Sequence, residues 1–129
     1  MLEQTLKKVI PHELNSFNKL TEGHDPYYFT SWAEENGMPI LRYWFWNKTK
    51  TRKNNKRVFV NEIEELLKHS QRTRRIIRSD YLRYCPRTNS SGDCGFAVII
   101  SILEHFQVVE VEGREYTIKS AESIRKLLD

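Results

Sequence analysis

The stretch that most constrains this chain runs from residue 41 to 60, LRYWFWNKTKTRKNNKRVFV. Tyr43, Trp44, Phe45 and Trp46 stand consecutively, and the ten residues after Asn47 hold six Lys or Arg and no acid. β-Branched and aromatic residues on both sides of a polar Asn/Lys/Thr tip predict two strands of a hairpin. In a strand, Tyr43 and Phe45 face one side and Trp44 and Trp46 the other. One pair belongs to the core, and the other is free to act as a stacking surface for unpaired bases.

The flanking sequence reads mostly as helix. Residues 2–9 predict a helix that stops before Pro11, since proline lacks a donor and constrains the residue before it. HELNSFNKLTEG follows, with Leu14, Phe17 and Leu20 at three-residue spacing, a short amphipathic helix closing at Gly23. In DPYYFTSWAEENG, Asp25 is placed as an N-cap and Pro26 at the first helical position. Tyr28, Phe29 and Trp32 then share a helical face, with Gly37 ending it. Asn61 is read as the cap of EIEELLKHS, whose early glutamates suit the helix dipole. QRTRRIIRSDYLRYC continues to Pro86 and is breakable at Ser79-Asp80. RTNSSGD is a turn-rich loop, and Asp93 caps the apolar helix CGFAVIISILEHF. QVVEV and REYTI form a hairpin around Glu112-Gly113, and a helix covers Ser120 to Leu128. The expectation is an α-rich α+β fold, a small helical domain with one or two β-hairpins, formed by residues 1–129 as a single domain.

With 39% hydrophobic and 12% aromatic residues, the 129-residue chain can bury a modest core. The mean hydropathy of −0.65 and the absence of any run near ~18 apolar residues predict no membrane association. The start MLEQTLKKVI lacks the layout of a secretion signal. Two cysteines, Cys85 and Cys94, suit a reducing compartment, so a cytoplasmic address is expected. The net charge of +4 hides an asymmetry, because residues 48–87 carry 13 Lys/Arg against 4 Asp/Glu. Phosphate is the commonest target of such a concentrated positive region.

Catalytic and metal chemistry have little to stand on. Cys94 in GDCGF opens a helix, where the dipole favours a thiolate. Asp93-Cys94-Gly95 resembles the nucleophile segment of ubiquitin-like-protein-specific cysteine proteases. Those enzymes need a His-Trp pair, and His12, His24, His69 and His105 supply none. Metal-ligand spacings and glycine-rich phosphate loops are absent, so no cofactor is expected.

The basic residues form two groups. Lys48, Lys50, Arg52, Lys53, Lys56 and Arg57 belong to the hairpin; Arg72, Arg74, Arg75, Arg78 and Arg83 follow within one segment. Lysine serves solubility as well as binding, whereas five arginines without a lysine point to planar, bidentate partners such as phosphate. One reading is a winged-helix regulator of duplex DNA: helix 72–84, turn, helix 93–106 and a β-wing at 107–118 follow in the right order. Its would-be recognition helix offers no Arg, Lys, Asn or Gln to base edges.

LRYWFWNKTKTRKNNKRVFVNEIEELL and QRTRRIIRSDYLRYCPR together resemble the accessory subunit of archaeal DNA primase. That subunit is related to the helical C-terminal domain of the primase large subunit and lacks its cluster cysteines. The resemblance implies a non-catalytic domain that binds template DNA and the triphosphate of the initiating nucleotide. It would then help the catalytic subunit begin a primer, beside the large subunit. Arg72, Arg74, Arg75 and Arg78 become candidates for the triphosphate, and Trp44 or Trp46 for base stacking.

Overall fold

A computed structural model describes residues 2–10, the backbone of 16–17, and residues 27–92 and 94–129. The elements in chain order are α1 (Leu2–Val9), β1 (Ser16–Phe17), β2 (Tyr27–Glu35), β3 (Met38–Trp46), β4 (Lys53–Phe59), α2 (Val60–Thr73), α3 (Arg78–Tyr84), α4 (Pro86–Ser91), α5 (Gly95–His105), β5 (Val109–Glu112), β6 (Glu115–Ile118) and α6 (Ala121–Leu128). With 49% helix and 31% strand, the fold is mixed α+β and the α-rich expectation is wrong.

The error lies at the N-terminal side. Residues 27–35, expected as a helix, are β2 in an antiparallel sheet of order β1-β2-β3-β4. Asn36 and Gly37 both have positive φ, 53° and 77°, and so make the two-residue Asn-Gly turn whose twist joins neighbouring strands. The helical spacing of Phe29 and Trp32 has a different origin. The register slips between Phe29 and Ser31, and the extra residue of this bulge keeps Phe29, opposite Tyr43, and Trp32, opposite Leu41, on one face. The helix expected through Phe17 is also displaced, because Ser16 and Phe17 pair with Tyr28 and Tyr27 as β1. The rest of that expectation, from His12 to Pro26 apart from these two, lies outside the described residues.

Strand β4 runs directly into α2, so Phe59 rather than Asn61 is the N-cap, without a side-chain bond. Glu62 does not decorate a solvated face. It is 3% exposed and accepts hydrogen bonds from the Arg87 N–H (3.0 Å), the Thr88 N–H (2.8 Å) and the Thr88 hydroxyl (2.8 Å). The expected loop RTNSSGD is thereby turned into helix α4, with Pro86 at its start. Thr88 Oγ1 also accepts from the Phe59 N–H at 3.0 Å, which ties α4 to the end of the sheet. The predicted helix 72–84 is broken, at Arg74–Ile77 and not at Ser79-Asp80.

Helix α5 sits at the centre. Phe96 and Val98 through Leu103 are buried, in one cluster with Leu2 and Leu6 of α1, Ile63, Leu66 and Leu67 of α2, and Ile124 and Leu127 of α6. Leu41, Tyr43 and Val58 from the inner face of the sheet join the same cluster. Cys94, the residue before α5, has its Sγ 3.1 Å from the Tyr43 hydroxyl. At Gly92 the stem of Lys56 comes so close that an added Cβ would lie 3.0 Å from it. The sheet therefore lies over the entry to α5. Tyr81 packs beneath, with its hydroxyl 2.5 Å from where a Cβ at Gly95 would stand, so only glycine fits there. Among the described residues no helix is long and apolar enough to cross a membrane.

Candidate nucleic-acid interface

The α2–α3 connection is built by a helix stop followed by a strand-like step. Arg74 takes a left-handed conformation, φ 65° and ψ 11°, and its N–H bonds the Ser70 carbonyl at 2.9 Å. Thr73 Oγ1 donates to the Arg75 carbonyl at 3.0 Å. The chain then runs alongside β6: Arg75 bridges Thr117 antiparallel, the Ile76 N–H donates to the Tyr116 carbonyl at 2.9 Å and the Ile118 N–H to the Arg74 carbonyl at 2.9 Å. Ile76 is buried and anchors the step, while Arg74, Arg75 and Arg78 on either side stay exposed.

The β5–β6 hairpin turns at Gly113 (φ 63°) and Arg114, opposite this step. Between the two lies an open cleft of ≈ 930 Å³. Arg74, Arg75, Arg78 and Arg114 line it, above Ile76, Phe96 and Tyr116, with Glu115 the one carboxylate among the lining residues. The Arg78 guanidinium lies 5.8 Å from the Phe96 ring centre, and Phe96 meets Tyr116 edge to face at 5.5 Å. Among the described residues no ion pair engages these four arginines. Four unpaired guanidinium groups around a concavity favour an anion with several oxygens, since each fork can bond two.

The sequence candidates therefore do not form one site. Arg74, Arg75 and Arg78 share the cleft. Arg72 is exposed at the end of α2, and Arg83 lies over Tyr84, 5.3 Å from its ring centre; neither lines the cleft. Arg114 does, and sequence reading passed over it; its only local signal was its place in the wing turn. Lys48, Lys50 and Arg52 are exposed at the β3–β4 tip. Asn47 orders that tip by accepting the Thr51 N–H at 2.8 Å and the Arg52 N–H at 3.2 Å. Lys53, Lys56 and Arg57 are strand residues, and Arg57 pairs with Glu35 at 2.9 Å. Trp44 and Trp46 are half-buried on the sheet face opposite Tyr43 and the core.

Among the described residues, Cys94 and the histidines are engaged elsewhere. His69 contacts Asp80 at 3.3 Å and the Tyr84 hydroxyl at 3.3 Å, and His105 packs on Phe106. Asp93, His12 and His24 lie outside the described residues. Burial pushes the Cys85 thiol well above its usual range, with the Glu62 carboxylate adding to the effect. Burial likewise holds the Tyr43 hydroxyl protonated far above its ordinary value, reinforced by Cys94. No family model, curated protein or solved structure matches the chain.

Proposed function

We propose that this chain is a non-catalytic nucleic-acid-binding protein that grips phosphates in the arginine cleft between the α2–α3 step and the β5–β6 hairpin. The observation that carries this reading is the convergence of Arg74, Arg75 and Arg78 with Arg114, about forty residues away in sequence. A solvated charge run needs no such convergence. The specific role we assign is that of an accessory subunit of a DNA primase, binding template and the initiating triphosphate beside the catalytic and large subunits. Its support is that QRTRRIIRSDYLRYCPR, part of the resemblance to that family, supplies three of the four cleft arginines. The two free cysteines suit the reducing cytoplasm.

A second role has its own support. The Arg75–Thr117 bridge adds a third strand-like segment to the β5–β6 hairpin, and α2, this segment, α3, α5 and the hairpin follow in the order of a winged helix. On that reading the partner is duplex DNA, held by its backbone because α5 is buried. Fluorescence anisotropy with duplex, single-stranded template, and template plus nucleoside triphosphate separates the two. Triphosphate-enhanced binding to template supports the primase role, together with recovery of a catalytic primase subunit from native cells. Preference for duplex without a triphosphate effect supports the regulator. Affinity that stays flat between low and high salt defeats both, since phosphate contacts release counterions.

A further inference from the structure

A sheet that packs one face on a core leaves its other face to water, and that face is ordinarily polar. Here the end of that face beyond the buried Ile40 and Phe59 carries aromatics. Tyr28 and Trp44 stack at 4.5 Å with their rings 20° from parallel, and Trp46 meets Trp44 edge-on at 5.3 Å. All three are half-buried rather than sealed in the core. Lys53 Nζ lies 4.5 Å from the Trp44 ring centre and 5.7 Å from that of Trp46. Across the ladder Asn55 stands opposite Trp44 and Lys53 opposite Trp46, both exposed. Partly exposed rings set side by side on one sheet face offer a surface on which a flat ligand can stack.

We infer that this outer face is a second binding surface, separate from the arginine cleft, and that its occupant is single-stranded nucleic acid. The charge around it selects that occupant. Lys53 and Asn55 border the rings, and the exposed Lys48 and Arg52 continue from the adjoining tip without an acid between residues 36 and 61. Flat aromatic rings beside a cationic border are the pairing that holds unpaired bases, one term stacking and the other tracking the backbone. A duplex hides its base faces and cannot use the rings. Lys53 now covers them by a cation–π contact, and an incoming base takes its place while the ammonium moves to the neighbouring phosphate.

Tryptophan emission of the full chain, titrated with a 20-nucleotide oligothymidine, reads this surface directly. Trp32 serves as an internal reference, since it faces away and its Nε1 donates to the Ile10 carbonyl at 2.9 Å. Oligothymidine is expected to quench the emission, and inorganic polyphosphate of similar charge to leave it unchanged. Trp44→Ala should lower oligothymidine affinity about tenfold. Trp44→Phe, which keeps a ring and the hairpin packing, should lower it less, and Lys53→Glu, at an exposed position, should again cost about tenfold. Equal competition by polyphosphate, unchanged affinity of folded Trp44→Phe and Lys53→Glu proteins, or a concentration-dependent dimer abolished by Lys53→Glu would each overturn the assignment. Arg75→Glu should leave the quenching intact, so failure of the cleft reading and failure of this one are distinguishable.

Discussion

The lysine-bearing hairpin and the arginine-bearing α2–α3 step look alike as charge runs, yet the fold uses them differently. On the hairpin, Lys53 lies on two tryptophans, the Lys56 stem packs over Gly92 and Arg57 pairs with Glu35. Lys56 and Arg57 are engaged in holding the protein together, Lys53 borders the aromatic face, and Lys48, Lys50 and Arg52 stand exposed at the tip. On the step, Arg74, Arg75 and Arg78 meet no partner acid among the described residues and face a concavity that Arg114 completes. Local charge density is thus a poor measure of a site. A site needs opposing walls, and walls come from pairings between segments far apart in sequence.

The sharpest way to separate the two regions is to break the joint that belongs to only one of them. Glu62→Ala orphans three donors of α4 and should cost about 3 kcal/mol in denaturant unfolding, because buried donors without partners are expensive. If the loss is under about 1 kcal/mol, the sheet is not held to the helices through this carboxylate. Arg75→Glu with Arg78→Glu should weaken duplex binding about a hundredfold and flatten its salt dependence. Lys48→Glu with Lys50→Glu should weaken duplex binding no more than about fivefold, and a reversal of that ranking would move the phosphate grip from the step to the hairpin tip.

Alkali tests whether both regions rest on one core. Tyr43, Tyr81 and Cys85 are all held protonated in the fold, chiefly by burial. Their folded pKa values lie above the ordinary ones, 10.0 for the tyrosines and 9.0 for the thiol. The unfolded chain releases those protons first, so their contribution is complete below about pH 9 and falls as pH rises through 9 and 10. The slope reaches about 1.4 kcal/mol per pH unit for each group. Far-ultraviolet circular dichroism and tryptophan emission should lose signal at the same pH; two separate transitions would mean that the halves unfold independently. The smallest expected effect is at Arg74, whose left-handed backbone suits glycine. Arg74→Gly should stabilise the protein by about 0.5–1 kcal/mol while weakening binding several-fold.

Much of the fold could be read locally. Helices α1 and α6, the alternation of Tyr43/Phe45 against Trp44/Trp46, and the β5–β6 hairpin follow from capping, alternation and turn residues within a few positions. β2 misled because its bulge at residue 30 puts Phe29 and Trp32 on one face, the spacing a helix would use. The Asn36-Gly37 turn was the better signal. The cleft was legible only in part: three arginines stand together in sequence, but Arg114 joins them through the Arg75–Thr117 bridge, which no local pattern encodes. The burial of Glu62 was not legible for the same reason, since its partners Arg87 and Thr88 lie on another helix.

On the nucleic-acid reading proposed above, the sheet over the entry to α5 also limits how the protein could find a place on a genome. Its apolar helix is buried, with Tyr43 and Lys56 of the sheet over its entry, and cannot enter a groove. Each base pair read correctly is ordinarily worth about 1–3 kcal/mol against its rivals, and a genome offers on the order of a million or more competing positions. Grip without that reading does not single out an address. Occupancy would follow local abundance of nucleic acid, and any choice of location would have to be made by a companion that does read bases or by the process that exposes the strand.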